Sequence, residues 1–306
     1  MRILFAGTPA VAVTVLGGLV NSGHEVVGVL TREDAPVGRR QLITSSPVAD
    51  YALTRSIPVI KANSLGEAEL ARIKELKPDL AIVVAYGSIL KAEALEVLSH
   101  GWFNLHFSLL PRYRGAAPVQ HCLINGDEVT GVTLFKIDLG MDTGAVLSQV
   151  PTKVEADETS GFLLQRLAHL GITLLNEELP RIYAGIHSLS AQEGTPSSAP
   201  KIARKDAKID FSGSAQEIIN LIRAMNPEPG AWTQINNEPI RIFEARISSE
   251  SVACEAGAIA KVQDSVLVGC GDERLIELHL VQPAGRKLMS ASDWLRGHQQ
   301  LVKFDK

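Results

Sequence analysis

The sequence has little cysteine, few aromatic side chains and only a small excess of charge. Cys122, Cys254 and Cys270 are widely spaced and form no CxxC pair, which predicts neither a disulfide framework nor a zinc site. Three unpaired thiols favour a reducing compartment, the cytoplasm. A net charge of −4 excludes wholesale electrostatic binding to nucleic acid and still allows a local basic patch. A content of 45% hydrophobic residues excludes a disordered chain.

Long hydrophobic runs are also missing. No apolar run reaches the roughly 18 residues that a membrane-spanning helix requires. The segment from Ile3 to Val20 has the look of a secretory signal, but Gly7-Thr8-Pro9 interrupts it early. A strand, a turn and a helix explain this segment better, and we expect a soluble protein that does not contact a membrane.

Strand and helix signals alternate along the first hundred residues. The predicted strands are short and apolar on both faces, and helical segments separate them. This pattern predicts an α/β fold with an open, mostly parallel, Rossmann-like sheet, in which ligands bind beyond the carboxyl ends of the strands. The predicted strands are Ile3–Ala6, Glu25–Leu30, Val59–Ile60 and Leu80–Val84, and the helices are Pro9–Asn21, Val48–Arg55 and Glu67–Leu76.

A stretch rich in turn-forming residues divides the chain. It predicts an amino-terminal domain over 1–189, a linker over 190–205 and a carboxyl-terminal domain over 206–306. The last part combines one helix with five short strand-like runs, which is typical of a small β-barrel of the OB-like kind. Residues 201–306 carry 14 basic and 14 acidic side chains, so the whole charge of −4 belongs to residues 1–200.

The densest cluster of chemically useful side chains is the run from Phe103 to Gly115. In a strand, alternation puts Asn104, His106 and Ser108 on one face. An asparagine amide can stabilise negative charge on a carbonyl oxygen, and a histidine can exchange a proton near neutral pH. The pair therefore suits acyl transfer without a covalent intermediate, and a purely structural pair is the alternative.

A second element is the glycine-bearing turn from Asp138 to Gly144, which carries Asp138 and Asp142. A carboxylate that is hydrogen-bonded to an imidazole fixes the tautomer and raises the basicity of the ring. Either aspartate is able to orient His106 in this way. The alternative is that both make only local hydrogen bonds in their turn.

Several motifs together resemble the 10-formyltetrahydrofolate-dependent formyltransferase family. The amino-terminal motifs are Gly7-Thr8-Pro9, Asn104-x-His106, Ser108–Pro118 and Met141–Gly144. Two later segments, Arg223–Trp232 and Val281–Met289, resemble the carboxyl-terminal domain of the members that act on methionyl-tRNA. The likeness spans nearly the whole chain.

This resemblance implies an enzyme, a set of site residues and two substrates. It implies that Asn104, His106 and Asp142 are catalytic and that a short stretch lines the folate site. It also implies transfer of a formyl group from 10-formyltetrahydrofolate to the α-amino group of methionine on initiator tRNA, for translation initiation in the cytoplasm. We expect neither a metal nor an obligate protein partner. The folate-lining stretch is Ser108, Leu109, Leu110 and Pro111.

The long loop from Thr31 to Pro47 is the predicted contact with tRNA. Long loops without secondary structure are usually functional or disordered. The resemblance implies that this loop enters the acceptor end of tRNA and that Arg39 and Arg40 bind there. Gly38-Arg39 fits the family pattern, whereas the sequence departs from it from Arg40 onward. A solvated charged loop is the alternative.

Three other functions remain open. The same folate chemistry serves 4-amino sugar nucleotides as formyl acceptors, or water in a formyltetrahydrofolate hydrolase. A catalytically silent tRNA-binding module is disfavoured, because Asn104, His106 and Asp142 are all intact.

Overall fold

The structure, a computed structural model, describes residues 1–38, 41–297 and 303–305. The chain packs into two compact units. The first consists of 1–118, 129–153 and 164–200, and the second of 119–128, 154–163 and 201–306. These units group segments by packing and are therefore discontinuous, whereas the predicted domains 1–189 and 206–306 are continuous in sequence. Among the described residues, no helix combines the length and apolar character needed to cross a bilayer.

The described residues between 1 and 183 form nine strands and six helices. The strands are β1 (Arg2–Gly7), β2 (Glu25–Thr31), β3 (Ala35–Val37), β4 (Leu42–Thr44), β5 (Val59–Lys61), β6 (Leu80–Val84), β7 (Trp102–His106), β8 (Val129–Lys136) and β9 (Val146–Lys153). The helices are α1 (Ala10–Asn21), α2 (Pro47–Thr54), α3 (Glu67–Leu76), α4 (Ala92–Leu95), α5 (Pro118–Ile124) and α6 (Ser160–Tyr183).

A seven-stranded sheet forms the centre of the first unit, in the order β5-β2-β1-β6-β7-β8-β9. The five strands β5, β2, β1, β6 and β7 run parallel to one another, and β8 runs antiparallel to both β7 and β9. All five residues of β6 are buried, as expected for a strand covered on both faces. The predicted open, mostly parallel α/β sheet is confirmed, with an antiparallel hairpin at one edge.

Local sequence explains where helix α2 begins. Helix α2 begins where Ser46 Oγ accepts a hydrogen bond from the Ala49 amide, 3.1 Å away, and Pro47 occupies the first helical position. A serine cap followed by proline is a strong start signal, because the serine hydroxyl accepts from an open backbone N–H and proline has no N–H that needs a partner.

The segment from Thr31 to Pro47 differs from the structureless loop that the sequence predicts. Strands β3 and β4 pair antiparallel and place Ala35 opposite Thr44 and Val37 opposite Leu42. The sequence does not reveal these two strands, because each is only three residues long and none of their side chains is buried. No apolar alternation therefore marks them.

The elements of the second unit are α7 (Ala215–Ala224), β10 (Trp232–Ile235), β11 (Glu238–Ile247), β12 (Ile259–Val262), β13 (Ser265–Gly269), β14 (Leu275–Pro283), β15 (Met289–Ser290) and α8 (Ala291–Arg296). Its strands form an antiparallel sheet in the order β10-β11-β14-β13-β12, with β15 paired to β14. This curled sheet confirms the predicted small barrel-like domain. Ser214 and Glu217 form a capping box that starts α7, and apolar side chains of α7 pack into the same core as Trp294.

Candidate active site

The candidate site starts on β7, which carries Asn104 and His106. Asn104 lies opposite Val83 of β6 and Phe135 of β8. Because side chains alternate along a strand, Asn104 and His106 project from the same face of the sheet. Asn104 is half-buried and His106 is only 5% exposed, so the imidazole is largely shielded from water.

The imidazole of His106 is held on one side by the backbone of the following loop. Its Nε2 lies 2.9 Å from the carbonyl oxygen of Tyr113, and the ring of Phe135 meets it edge-on. A carbonyl oxygen only accepts hydrogen bonds, so Nε2 donates and carries a proton. The other nitrogen, Nδ1, is therefore the one that gains or loses a proton.

Asp142 lies on the other side of His106. Its Oδ2 is 3.8 Å from His106 Nδ1, and its Oδ1 is 3.5 Å from Asn104 Nδ2. The first distance is longer than a direct hydrogen bond, so the expected carboxylate–imidazole hydrogen bond is replaced by a charge contact that acts when the ring is protonated. The carboxylate of Asp142 thus lies within 4 Å of both Asn104 and His106, the two other side chains that the resemblance groups with it.

The two aspartates of the turn have different roles in the structure. Asp138 Oδ1 accepts from the amide of Gly140 at 3.0 Å and from the hydroxyl of Thr143 at 2.7 Å. Asp138 therefore makes the local turn bonds, and Asp142 is the aspartate that faces His106. The sequence left this choice open, because both carboxylates belong to the same glycine-bearing turn.

The loop after β8 folds back to bring Asp142 to this position. Phe103 of β7 pairs with Lys136 at the end of β8, so the loop leaves the sheet beside the amino end of β7. Asp142 takes a left-handed conformation, with φ of +53°, which costs a non-glycine residue about 1–2 kcal/mol. Its Oδ2 accepts from the Gly115 amide at 2.7 Å, and this contact fixes the carboxylate.

Gly144 closes the same loop, and only glycine fits there. A Cβ at this position would lie 1.8 Å from the carbonyl oxygen of Lys136. This close approach of two backbone segments carries the chain from the Asp142 turn into β9.

The stretch Ser108–Pro111 continues from β7 and is firmly anchored. The hydroxyl of Thr133 donates to the Ser108 carbonyl at 2.6 Å and accepts from the Leu110 amide at 3.1 Å. Gln149 Nε2 donates to the Leu110 carbonyl at 2.8 Å. Ser108 is fully buried and its hydroxyl donates to the Arg112 carbonyl at 2.6 Å. Leu110 and Pro111 are buried as well, and Leu109 is half-buried.

Three groups at the site were not predicted from the sequence. They are the carbonyl oxygen of Tyr113, the amide of Gly115 and the hydroxyl of Thr133. The first two are backbone groups, which every residue carries, so no residue type marks them. For Gly115 the residue type itself is a sequence signal, because this position requires glycine. Its φ is +125°, and a Cβ there would lie 2.6 Å from the carbonyl oxygen of Ala199.

The predicted tRNA contacts Arg39 and Arg40 lie outside the described residues. The flanking hairpin exposes three apolar side chains, Val37, Leu42 and Ile43, at 57%, 63% and 69%. Within the described part of the chain, no group of three or more histidine, cysteine, aspartate or glutamate side chains is placed to hold a metal ion.

Comparison with known proteins agrees with this fold. Residues 1–179 match the family model described as formyl transferase, and residues 201–299 match the model described as formyl transferase, C-terminal domain. A methionyl-tRNA formyltransferase of Renibacterium salmoninarum is 46% identical over 297 residues, which cover 97% of this chain and 96% of that protein. One of Corynebacterium diphtheriae is 45% identical over 305 residues, with 98% and 97% covered.

Solved structures show the same fold at lower identity. An N-formyltransferase from Helicobacter canadensis in complex with folinic acid and dTDP-3-aminofucose aligns with a TM-score of 0.67 at 24% identity, covering 92% of this chain and 99% of that one. HypX from Aquifex aeolicus in complex with tetrahydrofolic acid aligns with a TM-score of 0.69 at 15% identity, covering 98% and 48%. From the matched family models and the full-length relatives it follows that this chain belongs to the formyl transferase family.

Proposed function

We propose that this protein transfers the formyl group of 10-formyltetrahydrofolate to the α-amino group of methionyl-tRNA. The observation that carries the proposal is the convergence of Asn104, His106 and Asp142, with one carboxylate oxygen 3.5 Å from the Asn104 amide nitrogen and the other 3.8 Å from His106 Nδ1. The full-length relatives of known name, at 45–46% identity, favour methionyl-tRNA as the acceptor.

Asn104 supplies a donor for the formyl oxygen. When the amine attacks, negative charge develops on that oxygen, and a preorganised amide N–H stabilises it. The carboxamide of Asn104 makes one long contact, to Asp142 Oδ1 at 3.5 Å. Its position on β7, a strand paired on both sides, fixes the donor before substrate arrives, which is the condition for effective charge stabilisation.

His106 handles the proton of the attacking amine. Free α-amino groups titrate at about 7.7–8.0, and esterification to tRNA withdraws electron density, so a modest base is sufficient. Nε2 is committed to the Tyr113 carbonyl, which leaves Nδ1 to accept the proton. No serine or cysteine nucleophile is required, because the amine itself forms the new bond.

Asp142 stabilises the protonated ring and helps to pass the proton to the leaving nitrogen. At 3.8 Å its carboxylate acts on His106 through charge, and the side chains of His106 and Asp142 are only 6% and 15% exposed, so water screens this contact less than it would at the surface. General acid–base help of this kind is typically worth about 10²–10⁴-fold in rate.

The donor is a folate derivative, as in the family. Folinic acid and tetrahydrofolic acid are bound in solved structures of the same fold, and 10-formyltetrahydrofolate is the form that supplies a transferable formyl group. We propose that Ser108, Leu109, Leu110 and Pro111 line its site. The hydrogen bonds of Thr133 and Gln149 to this stretch support the assignment, because they hold it rigid.

For tRNA, we propose that Arg39 and Arg40 contact the acceptor end through phosphate groups. The exposed apolar side chains of Val37, Leu42 and Ile43 on the flanking strands support a binding role for this hairpin. Val37 and Leu42 lie opposite each other in the hairpin, and exposed apolar side chains that lie together can mark an interaction site. An amino-sugar nucleotide is the second candidate acceptor, since the similar Helicobacter canadensis structure holds dTDP-3-aminofucose.

One assay separates these acceptors. Purified protein is mixed with 10-formyltetrahydrofolate and with methionyl-tRNA, an amino-sugar nucleotide or water alone. We expect formylation of methionyl-tRNA that His106→Ala abolishes. Turnover of only the sugar nucleotide or of water would contradict the proposed acceptor.

The tRNA contact has its own test. We expect Arg39→Ala to weaken the use of methionyl-tRNA far more than it changes the affinity for the folate. Equal effects on both substrates would contradict the assignment of Arg39.

A further inference from the structure

The segment from Ser190 to Ala199, here called the strap, packs along the loops of the candidate site. Its first residue pairs with Val146 through two backbone hydrogen bonds of 2.8 and 2.9 Å. Further along, the Arg114 amide donates to the Ser197 carbonyl at 2.8 Å, and the Ala199 amide donates to the Arg114 carbonyl at 2.7 Å. The strap is therefore fixed to the loop after β7 at one end and to the start of β9 at the other.

Gln192 is the half-buried side chain of the strap that reaches both loops. Its Nε2 donates to the carbonyl oxygens of Asp142 and Gly144, at 2.8 and 2.9 Å. Its Oε1 accepts from Nε and Nη2 of Arg114, at 3.1 and 2.6 Å. A carboxamide offers two N–H groups and two lone pairs, and all four are used here.

These hydrogen bonds stabilise the backbone conformation of Asp142. The backbone of Asp142 is left-handed, with φ of +53°, and a non-glycine residue keeps this conformation only where its surroundings hold it. Gln192 holds the Asp142 carbonyl, while the Gly115 amide holds the carboxylate at 2.7 Å. Arg114 and Gly115 are consecutive, so Gln192 also ties together the two loops that hold Asp142.

We propose that Gln192 is a positioning residue for formyl transfer, acting through Asp142. This inference rests on the catalytic role proposed for Asp142. Gln192 keeps the aspartate backbone in place so that the carboxylate faces both Asn104 and His106. A displacement of about 1 Å in such a constellation is enough to cost about 100-fold in rate, and the side chain that prevents it need not touch a substrate.

The test uses Gln192→Glu, which keeps the acceptor oxygens for Arg114 and replaces the two N–H donors by a carboxylate that repels the Asp142 and Gly144 carbonyls. We expect kcat to fall by about 10- to 100-fold, with the KM values for both substrates changed less than about twofold. Glu193→Gln, at the exposed neighbouring position, is the matched control and should behave as wild type.

A second background distinguishes positioning from general support of the fold. In an Asp142→Asn protein, Gln192→Glu should lower kcat by less than about twofold further, because residues that act as a unit are not additive. The ¹H and ¹⁵N resonances of the His106 ring should change in Gln192→Glu and not in Glu193→Gln, whichever acceptor the enzyme uses. Gln192→Met, which removes the donors without adding charge, replaces Gln192→Glu if that variant does not fold.

The outcomes separate the two levels of the argument. A folded Gln192 variant with wild-type kcat and unchanged His106 resonances would overturn the positioning role and leave the role of Asp142 intact. An equal fall in kcat with and without Asp142→Asn would also overturn it. If Asp142→Asn itself has wild-type kcat, the proposed catalytic role fails and the positioning role fails with it.

Discussion

Nε2 of His106 donates a hydrogen bond to the carbonyl oxygen of Tyr113, 2.9 Å away. This backbone contact, rather than a carboxylate, determines the tautomer of the ring. In the triad arrangement a carboxylate binds one imidazole nitrogen and leaves the other for the reaction. Here the peptide carbonyl takes that place, and Asp142 lies on the reactive side, 3.8 Å from Nδ1. Asp142 therefore stabilises a proton on Nδ1 and does not determine the tautomer of the ring.

The first prediction concerns this tautomer. We expect the neutral His106 ring to carry its proton on Nε2, because the Tyr113 carbonyl cannot donate. Two-bond ¹H–¹⁵N correlation spectra of the protein distinguish the two tautomers, and His106→Gln assigns the signals. A ring protonated on Nδ1 in its neutral form would contradict the geometry.

The second prediction contrasts the two aspartates of one turn. Asp142→Asn keeps an acceptor for the Gly115 amide but removes the charge beside His106, and we expect kcat to fall by about 10²–10⁴-fold. Asp138→Asn keeps the local turn bonds to Gly140 and Thr143 and should change kcat less than about threefold. Steady-state formylation rates measure both. Similar losses in the two variants would refute the distinction.

The third prediction concerns the amide of Asn104. Asn104→Asp removes the donor and puts a second carboxylate near Asp142 Oδ1, which lies 3.5 Å from the present amide nitrogen. We expect kcat to fall by at least about 10²–10³-fold, the usual cost of losing one such donor. Asn104→Ala removes the donor without adding charge, and its kcat should fall by a factor within that range. A larger loss for the alanine variant than for the aspartate variant would argue against charge repulsion at this site.

The fourth prediction uses a cysteine of the second unit. Burial, together with the Asp272 carboxylate, raises the pKa of Cys270 to about 11, and the residue is only 3% exposed. The thiolate is the form that reacts with iodoacetamide. At about pH 8, close to the ordinary thiol pKa of about 8.5, we expect iodoacetamide to modify the half-buried Cys254 well before Cys270. Peptide mass spectrometry measures the order of labelling, and urea should expose Cys270. Equal labelling in the native protein would contradict the assigned burial.

The same shift has a consequence for stability. The unfolded thiol ionises at about 8.5 and the folded one near 11, so burial of the neutral thiol favours the fold fully below about pH 8.5. This contribution is lost as the pH rises towards 11. We expect Cys270→Ala to show a smaller alkaline loss of unfolding free energy than wild type, measured by urea titration. Parallel curves for the two proteins would count against this assignment.

The elements with strong local signals were predicted from sequence closely. Helix α3 begins and ends at the predicted residues, and strand β6 has the predicted bounds, because turn residues bound the helix and a continuous apolar run marks the strand. The hairpin of β3 and β4 was missed, since three-residue strands with no buried side chain leave no pattern. Burial, which a sequence expresses as periodicity, is therefore what makes an element predictable.

By itself, the sequence determined the α/β sheet, the small antiparallel domain and the pairing of Asn104 with His106, because a strand's alternation fixes which neighbours share a face. It also offered two aspartates without choosing between them. Tertiary structure made the choice: the loop after β8 folds back so that Asp142 meets His106, held by the Gly115 amide. That contact joins residues 27 positions apart through a backbone group, and a backbone group has no residue type for a sequence to reveal.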